Sequence, residues 1–352
     1  MINRQLAMKV KSLMPSRERE SDINSPVSMW NELDRLRGKP EETAVVIFRT
    51  RGCAWYDFSS CSMCGYFNDV NTNVTLENLK AQIDKLNDFI ESQKVLKVFT
   101  SGSFLDRREV PDDALHYFLK TIGGKIEKLL VESRTEFITD NTMMPLKSSG
   151  ISTRIAIGVE STNDAIIKNS INKGTNFQKF VDAAKKVKSS GLELRSYLLL
   201  KPPFLNEELA VRDAIKSAQD CAPYSTDVSV NPMNIQKNTL VESLWKKGLY
   251  RPPWLWSVAR VLLECEKLPV EVLSYPTGGN SERGAHNNSK DPELLKLIFD
   301  ASLEQNFDAL RTYYNNADLT VYRKYMEVES GLMEPIDMDS RIRKMKSGTV
   351  QF

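Results

Sequence analysis

The sequence predicts an α/β protein folded as a partial (β/α)6-type TIM barrel, with an extension at each end. Short β-branched runs alternate with longer amphipathic runs through the middle of its 352 residues. Strands separated by helices imply parallel pairing with right-handed crossovers. The strand runs are nearly continuous in apolar residues, as expected of a sheet that helices cover. A doubly wound open sheet is the alternative arrangement of the same elements.

The predicted elements follow one another in a regular order. The first strand, Val45–Thr50, leads into a cysteine-rich loop, and a helix follows from Thr75, a residue type that caps helices. Five more strands are predicted, at Val95–Thr100, Leu129–Ser133, Arg154–Ser161, Leu192–Leu200 and Asp227–Pro232. Helices are predicted between them, at Ala114–Ile122, Asn141–Ser148, Phe177–Val187 and Glu207–Gln219. Six strand–helix units result, or seven if Val270–Tyr275 joins the same sheet.

The two ends of the chain lack this alternation. Residues 1–40 are expected to form an N-terminal extension, residues 41–275 the barrel, and residues 276–352 a C-terminal extension packed on the barrel. In barrels of this kind the chemistry lies at the carboxyl ends of the strands. Candidate functional residues are therefore sought in the segments that directly follow each strand.

Composition excludes several classes of protein. No apolar run reaches the roughly 18 residues that span a bilayer, and the N terminus lacks the apolar core of a signal peptide. Five cysteines, three of them within twelve residues, indicate reduced, ligand-type cysteines in a cytoplasmic protein rather than a disulfide framework. A net charge of +2 gives no general basic coating, but local basic clusters leave a nucleic-acid partner open. One such cluster lies in the tail, at Arg341, Arg343, Lys344 and Lys346.

The loop after the first strand contains Cys53, Cys61 and Cys64, in the pattern C-x7-C-x2-C. Thiolates hold iron–sulfur clusters, and a cluster normally takes four protein ligands. Three ligands on one loop leave one iron of a [4Fe-4S] cluster open to another molecule. S-adenosylmethionine (SAM) can chelate that iron through its amino and carboxylate groups. An electron from the reduced cluster then cleaves SAM to a 5′-deoxyadenosyl radical.

Two simpler interpretations of the cysteines compete with a cluster. Structural zinc requires four tetrahedral ligands, whereas His116 lies in a predicted helix and His286 lies far along the chain. Three unrelated buried cysteines would be unusual at this density on a polar, aromatic-rich loop. The other two cysteines, Cys221 and Cys265, fall on predicted helical stretches and are interpreted as ordinary small buried residues.

The triple-cysteine loop, the small-residue turn after strand two and the charged residues after later strands resemble the radical SAM superfamily. The resemblance covers about Val45 to Asn231. It departs from the superfamily's usual C-x3-C-x2-C spacing, so the first part of the loop must bulge. The residue before the third cysteine is usually an aromatic that packs near the adenine, and here it is Met63. A polarizable thioether can occupy that place.

The same resemblance implies a set of SAM contacts at the strand ends. A turn that binds the SAM amino group corresponds to Ser101, Gly102 and Ser103, where glycine permits close backbone approach. Glu132 is a candidate for the ammonium or ribose hydroxyls, and Arg134 for a carboxylate. The remaining candidate cofactor contacts are Glu160 and Ser161 in a Gly-Val-Glu-Ser turn, Arg195 if its strand register points it inward, and Asn231.

Longer strings resemble a narrower group, the archaeosine-biosynthesis radical SAM family. They include RGCAWYDFSSCSMCGYFND, VESRTEFIT, LLLKPPF and VNPMNIQKNTLVESLWKKGLYRPPWLW, and the resemblance spans roughly Pro40 to Glu264. It implies a lyase that cleaves the lysine C–N bond of a lysine adduct of 7-cyano-7-deazaguanine in the tRNA D-loop, leaving the formamidine of archaeosine. The implied partners are this tRNA, an α subunit related to tRNA-guanine transglycosylase, and an electron donor; no membrane is involved.

A lysyl adduct carries free amino and carboxylate groups that need partners of opposite charge in a shielded site. The candidates are Asp106, Glu160, Lys201, Arg283 and His286. The loop 278–288 is either a substrate loop or a solvated connection, and the run 250–256 is either a platform or a plug. The low net charge suggests that the α subunit makes most phosphate contacts. Two functional alternatives remain, another tRNA-modifying radical SAM enzyme and a zinc-stabilised RNA-binding module.

Overall fold

The structure, a computed structural model, describes residues 2–15 and 21–332. No helix within those two ranges is both long enough and apolar enough to cross a membrane. The basic cluster predicted in the C-terminal tail lies outside the described residues, as does the end of the predicted C-terminal extension.

One curled sheet of eight strands forms the centre of the described fold, and its strands stand in sequence order. The strands are β1 (Ser28–Asp34), β2 (Glu41–Ile47), β3 (Val95–Phe99), β4 (Lys128–Ser133), β5 (Ser152–Glu160), β6 (Glu193–Leu200), β7 (Asp227–Pro232) and β8 (Glu271–Leu273). β1 pairs antiparallel with β2, and every later neighbouring pair is parallel. The partial barrel is confirmed, with seven parallel strands, the larger of the two predicted numbers. The seventh is the run that begins at Val270.

Helices connect the strands and cover the outer face of the sheet. They are α1 (Arg4–Leu13), α2 (Leu76–Phe89), α3 (Asp112–Ile122), α4 (Asp140–Ser148), α5 (Asp164–Ile166), α6 (Phe177–Ser189), α7 (Glu207–Cys221), α8 (Leu240–Lys246), α9 (Leu255–Cys265), α10 (Pro292–Glu304), α11 (Asp308–Asn316) and α12 (Thr320–Leu332). Thr75 caps α2 as predicted, because its hydroxyl accepts from the backbone N–H of Asn78.

The outward face of the sheet forms the main hydrophobic core. Val46, Val98, Val131 and Ile155 are fully buried there against the helices. Each such side chain stabilises the fold by about 1.5–3 kcal/mol through removal from water. This face accounts for the apolar strand runs of the sequence.

The inward face is polar, and at the amino end of the barrel its charges are paired. Asp34, at the end of β1, lies 2.7 Å from the Lys97 ammonium and 3.3 Å from the Arg195 guanidinium. Arg195 also donates to Asp227 at 2.8 Å, and Arg154 pairs with Asp227 in turn. All five side chains are nearly inaccessible to solvent. We call this group the floor network, and it joins β1 to the parallel strands.

Candidate functional site

The three cysteines of the loop after β2 lie at the carboxyl end of the barrel. Burial raises the pKa of the Cys53 and Cys64 thiols to about 11 and that of Cys61 to about 12. The backbone N–H of Trp55 donates to the Cys53 sulfur at 3.4 Å, and the Tyr56 hydroxyl lies 3.3 Å from the Cys64 sulfur. Thiols in such surroundings are neutral until a metal takes the proton's place.

The segment after α5 holds the cysteine loop in place. The side-chain amide of Asn172 donates to the carbonyl of Ser60 at 2.7 Å, and the Asn172 carbonyl accepts from the Trp55 indole at 2.9 Å. The backbone N–H of Ser62 donates to the Ile171 carbonyl at 2.8 Å. These hydrogen bonds hold the long segment between Cys53 and Cys61, which the spacing of the cysteines predicted to bulge.

Gly102 lies where the cysteine loop, the turn after β3 and Glu109 meet. A Cβ atom placed on Gly102 would overlap a carboxyl oxygen of Glu109 and stand 2.7 Å from the Cα atom of Cys53. The backbone N–H of Ser103 donates to Glu109 at 2.7 Å, and the Thr50 hydroxyl lies 2.9 Å from the other carboxyl oxygen. Burial raises the pKa of Glu109 to about 8. Only glycine fits this close approach.

Charged side chains from three segments surround the thiols. The Arg134 guanidinium donates to Glu136 at 2.6 Å and to the Lys173 carbonyl at 3.2 Å, and it stands 5.9 Å from the centre of the Trp55 ring. The Lys173 ammonium lies 2.6 Å from the Glu160 carboxylate. Glu160 adopts a left-handed backbone conformation with φ of 68° at the end of β5. The site therefore offers charges of both signs beside the cysteines.

The three thiols of this loop are the kind of ligand that an iron–sulfur cluster takes. No three His, Cys, Asp or Glu side chains within residues 2–15 and 21–332 are grouped so as to hold one ion. In a [4Fe-4S] cluster each cysteine binds a different iron, so the thiolates need not converge on one point. The buried hydroxyls of Ser60 and Ser62, on the same loop, have no hydrogen-bond partner among the described residues. Polar groups of this kind commonly have a partner when a site is filled.

The structure places the turn after β3 beside the cysteine loop and gives Met63 and Asn231 other neighbours. Ser101, Gly102 and Ser103 follow β3 directly beside the loop, and the Ser101 carbonyl accepts from Tyr56 at 3.1 Å. Met63 is partly buried against the main core. Asn231, near the end of β7, accepts from the hydroxyl of Ser229 at 3.1 Å.

Two predicted cofactor contacts are engaged elsewhere. Arg195 points inward, as its assignment required, but its guanidinium is held by Asp34 and Asp227 in the floor network. The Ser161 hydroxyl donates to Asp213 of α7 at 2.9 Å, outside the sheet. We therefore do not retain Arg195 or Ser161 among the cofactor contacts, because their polar atoms already have buried partners.

The predicted substrate residues are dispersed. Asp106 binds Arg108 within its own turn at 2.7 Å, and Lys201 lies 2.6 Å from Glu207, beneath α12. Arg283 is 2.7 Å from Glu242. The His286 ring lies 2.8 Å from the Gly284 carbonyl, and burial lowers its pKa. These residues organise the loops and the C-terminal helices, and the structure does not gather them into one pocket.

The sequence did not predict several residues that lie near the cysteines. Glu109, Lys173 and Asn172 lie in loops or turns, distant in sequence from the cysteines they approach. Their contacts depend on how the loops pack at the barrel mouth, which no local pattern specifies. Tyr56 also belongs to the site, and its place between Cys53 and Cys61 in the sequence could have indicated this.

The fold and the cysteine loop define a radical SAM protein, and a model of the Radical SAM superfamily matches residues 47–212. An Elp3 structure from the archaeon Methanocaldococcus infernus has 16% identity to this chain and a TM-score of 0.48, covering 64% of this chain and 58% of its own.

Two curated relatives identify the narrower group. Archaeosine synthase subunit beta of Methanosarcina acetivorans is 38% identical over 88% of this chain and 92% of its own length. The protein of the same name from Thermococcus kodakarensis is 35% identical over 74% of this chain and 84% of its own. The chain belongs to the archaeosine synthase subunit beta family. The family resemblance of the sequence is thereby confirmed.

Proposed function

We propose that this protein is a radical SAM lyase of tRNA modification. It cleaves the lysine C–N bond of a lysine adduct of 7-cyano-7-deazaguanine in the tRNA D-loop and leaves the formamidine of archaeosine. The observation that carries the proposal is the set of three partly buried thiols at the carboxyl end of a partial barrel. It occurs in a chain 38% identical to an archaeosine synthase β subunit.

The proposal includes partners. The relatives are named as β subunits, which supports a second, α subunit, and we assign that role to a paralogue of tRNA-guanine transglycosylase. Reduction of a cluster also requires an electron donor. The free, reduced cysteines of the described fold suit a cytoplasmic location.

Cys53, Cys61 and Cys64 would hold a [4Fe-4S] cluster, with SAM on the fourth iron. When bound, this pair supplies the one-electron chemistry that activates an unreactive C–H bond, which acid–base groups cannot do. The protein's task is to bind, orient and exclude water. The hydrogen bond from the Trp55 N–H to Cys53 and the Tyr56 hydroxyl beside Cys64 serve that task at the cluster.

Arg134, Glu160 and Lys173 would hold the charged ends of SAM. Burial raises the pKa of the Cys61 thiol, and the positive charges of Lys173 and Arg134 lower it in part. A carboxylate binds strongly to such cations, and an ammonium or ribose hydroxyl to Glu160. Gly102 allows the backbone after β3 to approach the same molecule without steric conflict.

The test is anaerobic incubation of reconstituted protein with SAM, reductant and tRNA carrying the lysine adduct, followed by mass spectrometry of the nucleosides. We expect loss of the lysyl mass, gain of the formamidine and formation of 5′-deoxyadenosine. Formation of 5′-deoxyadenosine without loss of the lysyl mass would point to a different radical SAM reaction. A colourless protein with stoichiometric zinc would instead support an RNA-binding module.

A pair of cysteine variants separates cluster binding from folding. Cys64→Ala removes a proposed ligand, and Cys265→Ala removes a buried cysteine at the end of α9. We expect Cys64→Ala to lose visible absorbance near 400 nm, most of its iron and all turnover, while Cys265→Ala keeps its iron. Equal iron contents in the two variants would contradict the assigned ligands.

A further inference from the structure

Glu109 is a buried acidic residue in the segment between β3 and α3. Only 2% of it is exposed to solvent, and its backbone N–H donates to the carbonyl of Asp106 at 2.9 Å, which holds it in a turn. Among residues 2–15 and 21–332, no lysine, arginine or histidine lies within ion-pair distance of its carboxyl group. A buried carboxyl group without a cation needs hydrogen bonds to be tolerated.

One carboxyl oxygen of Glu109 holds the turn that follows β3. The backbone N–H of Ser103 donates to that oxygen at 2.7 Å. The same turn is attached to β4, because the Ser103 hydroxyl accepts from the backbone N–H of Arg134 at 3.0 Å. The backbone N–H of Phe104 also donates to the carbonyl of Glu132 at 2.8 Å. Glu109 is therefore linked through this turn to the carboxyl end of β4.

The other carboxyl oxygen of Glu109 holds the segment that leads into the cysteine loop. It lies 2.9 Å from the hydroxyl oxygen of Thr50. That hydroxyl accepts from the backbone N–H of Gly52 at 3.0 Å and donates to the carbonyl of Thr100 at 2.8 Å. Gly52 directly precedes Cys53 in the sequence. A continuous chain of hydrogen bonds therefore runs from the first cysteine through Glu109 to β4.

The hydrogen bonds of this chain are all satisfied when the Glu109 carboxyl group keeps its proton. The Thr50 hydroxyl has one hydrogen but lies beside two acceptors, the Thr100 carbonyl and the Glu109 carboxyl. A carboxylate would leave one of these acceptors without a donor, whereas a carboxylic acid donates to Thr50, which then donates to Thr100. The second Glu109 oxygen still accepts from Ser103.

Gly102 shows how closely these parts approach one another. A Cβ atom on Gly102 would lie 2.0 Å from a carboxyl oxygen of Glu109 and 2.7 Å from the Cα atom of Cys53. The turn after β3, the first cysteine and Glu109 therefore meet at one point. A side chain at that point can fix the distance between the turn and the cysteine.

We propose that Glu109 is a positioning residue that sets the turn after β3 against the first cysteine of the loop. It acts through Ser103 on one side, and through Thr50 and Gly52 on the other. The proposal rests on the proposed function, because it takes Cys53 as a cluster ligand and the turn as a neighbour of SAM. A neutral acid holds the two parts together without adding a negative charge beside the thiolates of a filled site.

The test compares Glu109→Leu with Glu109→Gln. Leucine removes both hydrogen bonds, whereas a glutamine amide can donate to Thr50 and accept from Ser103 as the acid does. The variants are reconstituted anaerobically, and their iron content, SAM dissociation constant and electron paramagnetic resonance spectrum with SAM are measured. We expect Glu109→Leu to weaken SAM binding about tenfold, as the loss of buried hydrogen bonds implies, and to alter the spectrum. Glu109→Gln should restore most of the affinity and the spectrum.

Thr50→Val is a milder variant, which keeps the test informative if Glu109→Leu does not fold. It keeps the shape of the side chain and removes the hydroxyl that joins Glu109 to Gly52, while the hydrogen bond to Ser103 remains. We expect it to change the spectrum of the reduced cluster even before SAM is added, because it acts on the cysteine side.

The matched control is Thr153→Val at the amino end of β5. It also removes a buried threonine hydroxyl, one that donates to the Ile151 carbonyl at 2.9 Å. Iron content, SAM affinity and spectrum should stay at their wild-type values. A change in the control equal to that in Thr50→Val would overturn the proposal, because loss of any buried hydroxyl would then have the same effect.

Three results for Glu109 itself would also overturn it. The first is wild-type SAM affinity and spectrum in Glu109→Leu. The second is an equal loss in Glu109→Gln and Glu109→Leu, since Glu109 would then act through its charge. The third is a lower melting temperature with no change in SAM affinity or spectrum, which would make Glu109 a purely structural residue.

The positioning role and the proposed function can fail separately. If the wild type converts the lysine-adduct tRNA but Glu109→Leu keeps wild-type SAM affinity and spectrum, the positioning role is wrong and the lyase assignment stands. If Glu109→Leu loses SAM affinity and Glu109→Gln restores it, but the wild type leaves the adduct intact, the positioning role stands and the reaction is a different one.

Discussion

Neutralising Asp34 tests whether the floor network stabilises the fold. In Asp34→Asn the shape of the side chain is kept, but the Lys97 ammonium at 2.7 Å and the Arg195 guanidinium at 3.3 Å lose one fully buried counter-charge. Breaking a buried pair by removing one partner costs about 3–5 kcal/mol. Lys97 keeps Glu32 and Arg195 keeps Asp227, so we expect the lower end of that range.

A loss of about 3 kcal/mol corresponds to a fall in melting temperature of roughly 4 °C for a chain of this size. Circular dichroism melting of the anaerobic protein measures it. The control is Glu77→Gln, which breaks an exposed pair with Lys80 and should change stability by less than about 1 kcal/mol. In the Asp34→Asn background, Lys97→Met should cost less than it does in the wild type. Equal melting temperatures for Asp34→Asn and Glu77→Gln would refute a stabilising floor.

Two further predictions concern the surroundings of the site. Gly102→Ala places a Cβ in steric overlap with Glu109, so we expect about 1–3 kcal/mol of destabilisation and a lower iron content. Metal analysis measures the iron content. Normal iron binding would contradict the close approach of Gly102 to Cys53. Burial raises the pKa of Asp213 to about 7, above the value of 3.8 for an unperturbed aspartate. The folded state therefore holds this proton to a higher pH than the unfolded state does, and the free energy of unfolding falls as the pH rises from 5 to 8. Asp213→Asn should therefore raise the melting temperature more at pH 8 than at pH 5, and an equal effect at both would contradict the shift.

The parallel strands could be predicted because their outward faces are apolar. Helices cover these faces, so each strand has buried residues such as Val98 and Ile155 and is recognised in the sequence as an apolar run. β1 could not be predicted in the same way. Its inward positions include Glu32 and Asp34, whose partners are cations on other strands rather than apolar neighbours. A strand stabilised by long-range ion pairs has no hydrophobic periodicity to reveal it.

The candidate site was predictable where residues follow a strand directly. Arg134 and Glu160 were found because the carboxyl ends of parallel strands share one edge of the sheet. Strand position alone does not say which way a side chain turns. Ser161 turns outward to α7, and Lys201 pairs with Glu207 beneath α12. Glu109 and Lys173 reach the site from loops, whose paths depend on tertiary packing.

The buried floor network closes the amino end of the barrel interior. Asp34, Arg195 and Asp227 are almost inaccessible to solvent, so the amino end gives a molecule no way into the interior. Under the proposed reaction, the modified nucleotide would lie at the cysteine end of the barrel while the lysyl chain extends toward the floor network. If both products leave at the cysteine end, the amino acid fragment would be released after the tRNA, and product release would be ordered. Rapid-quench measurement of the two products on separated protein and tRNA fractions would reveal that order.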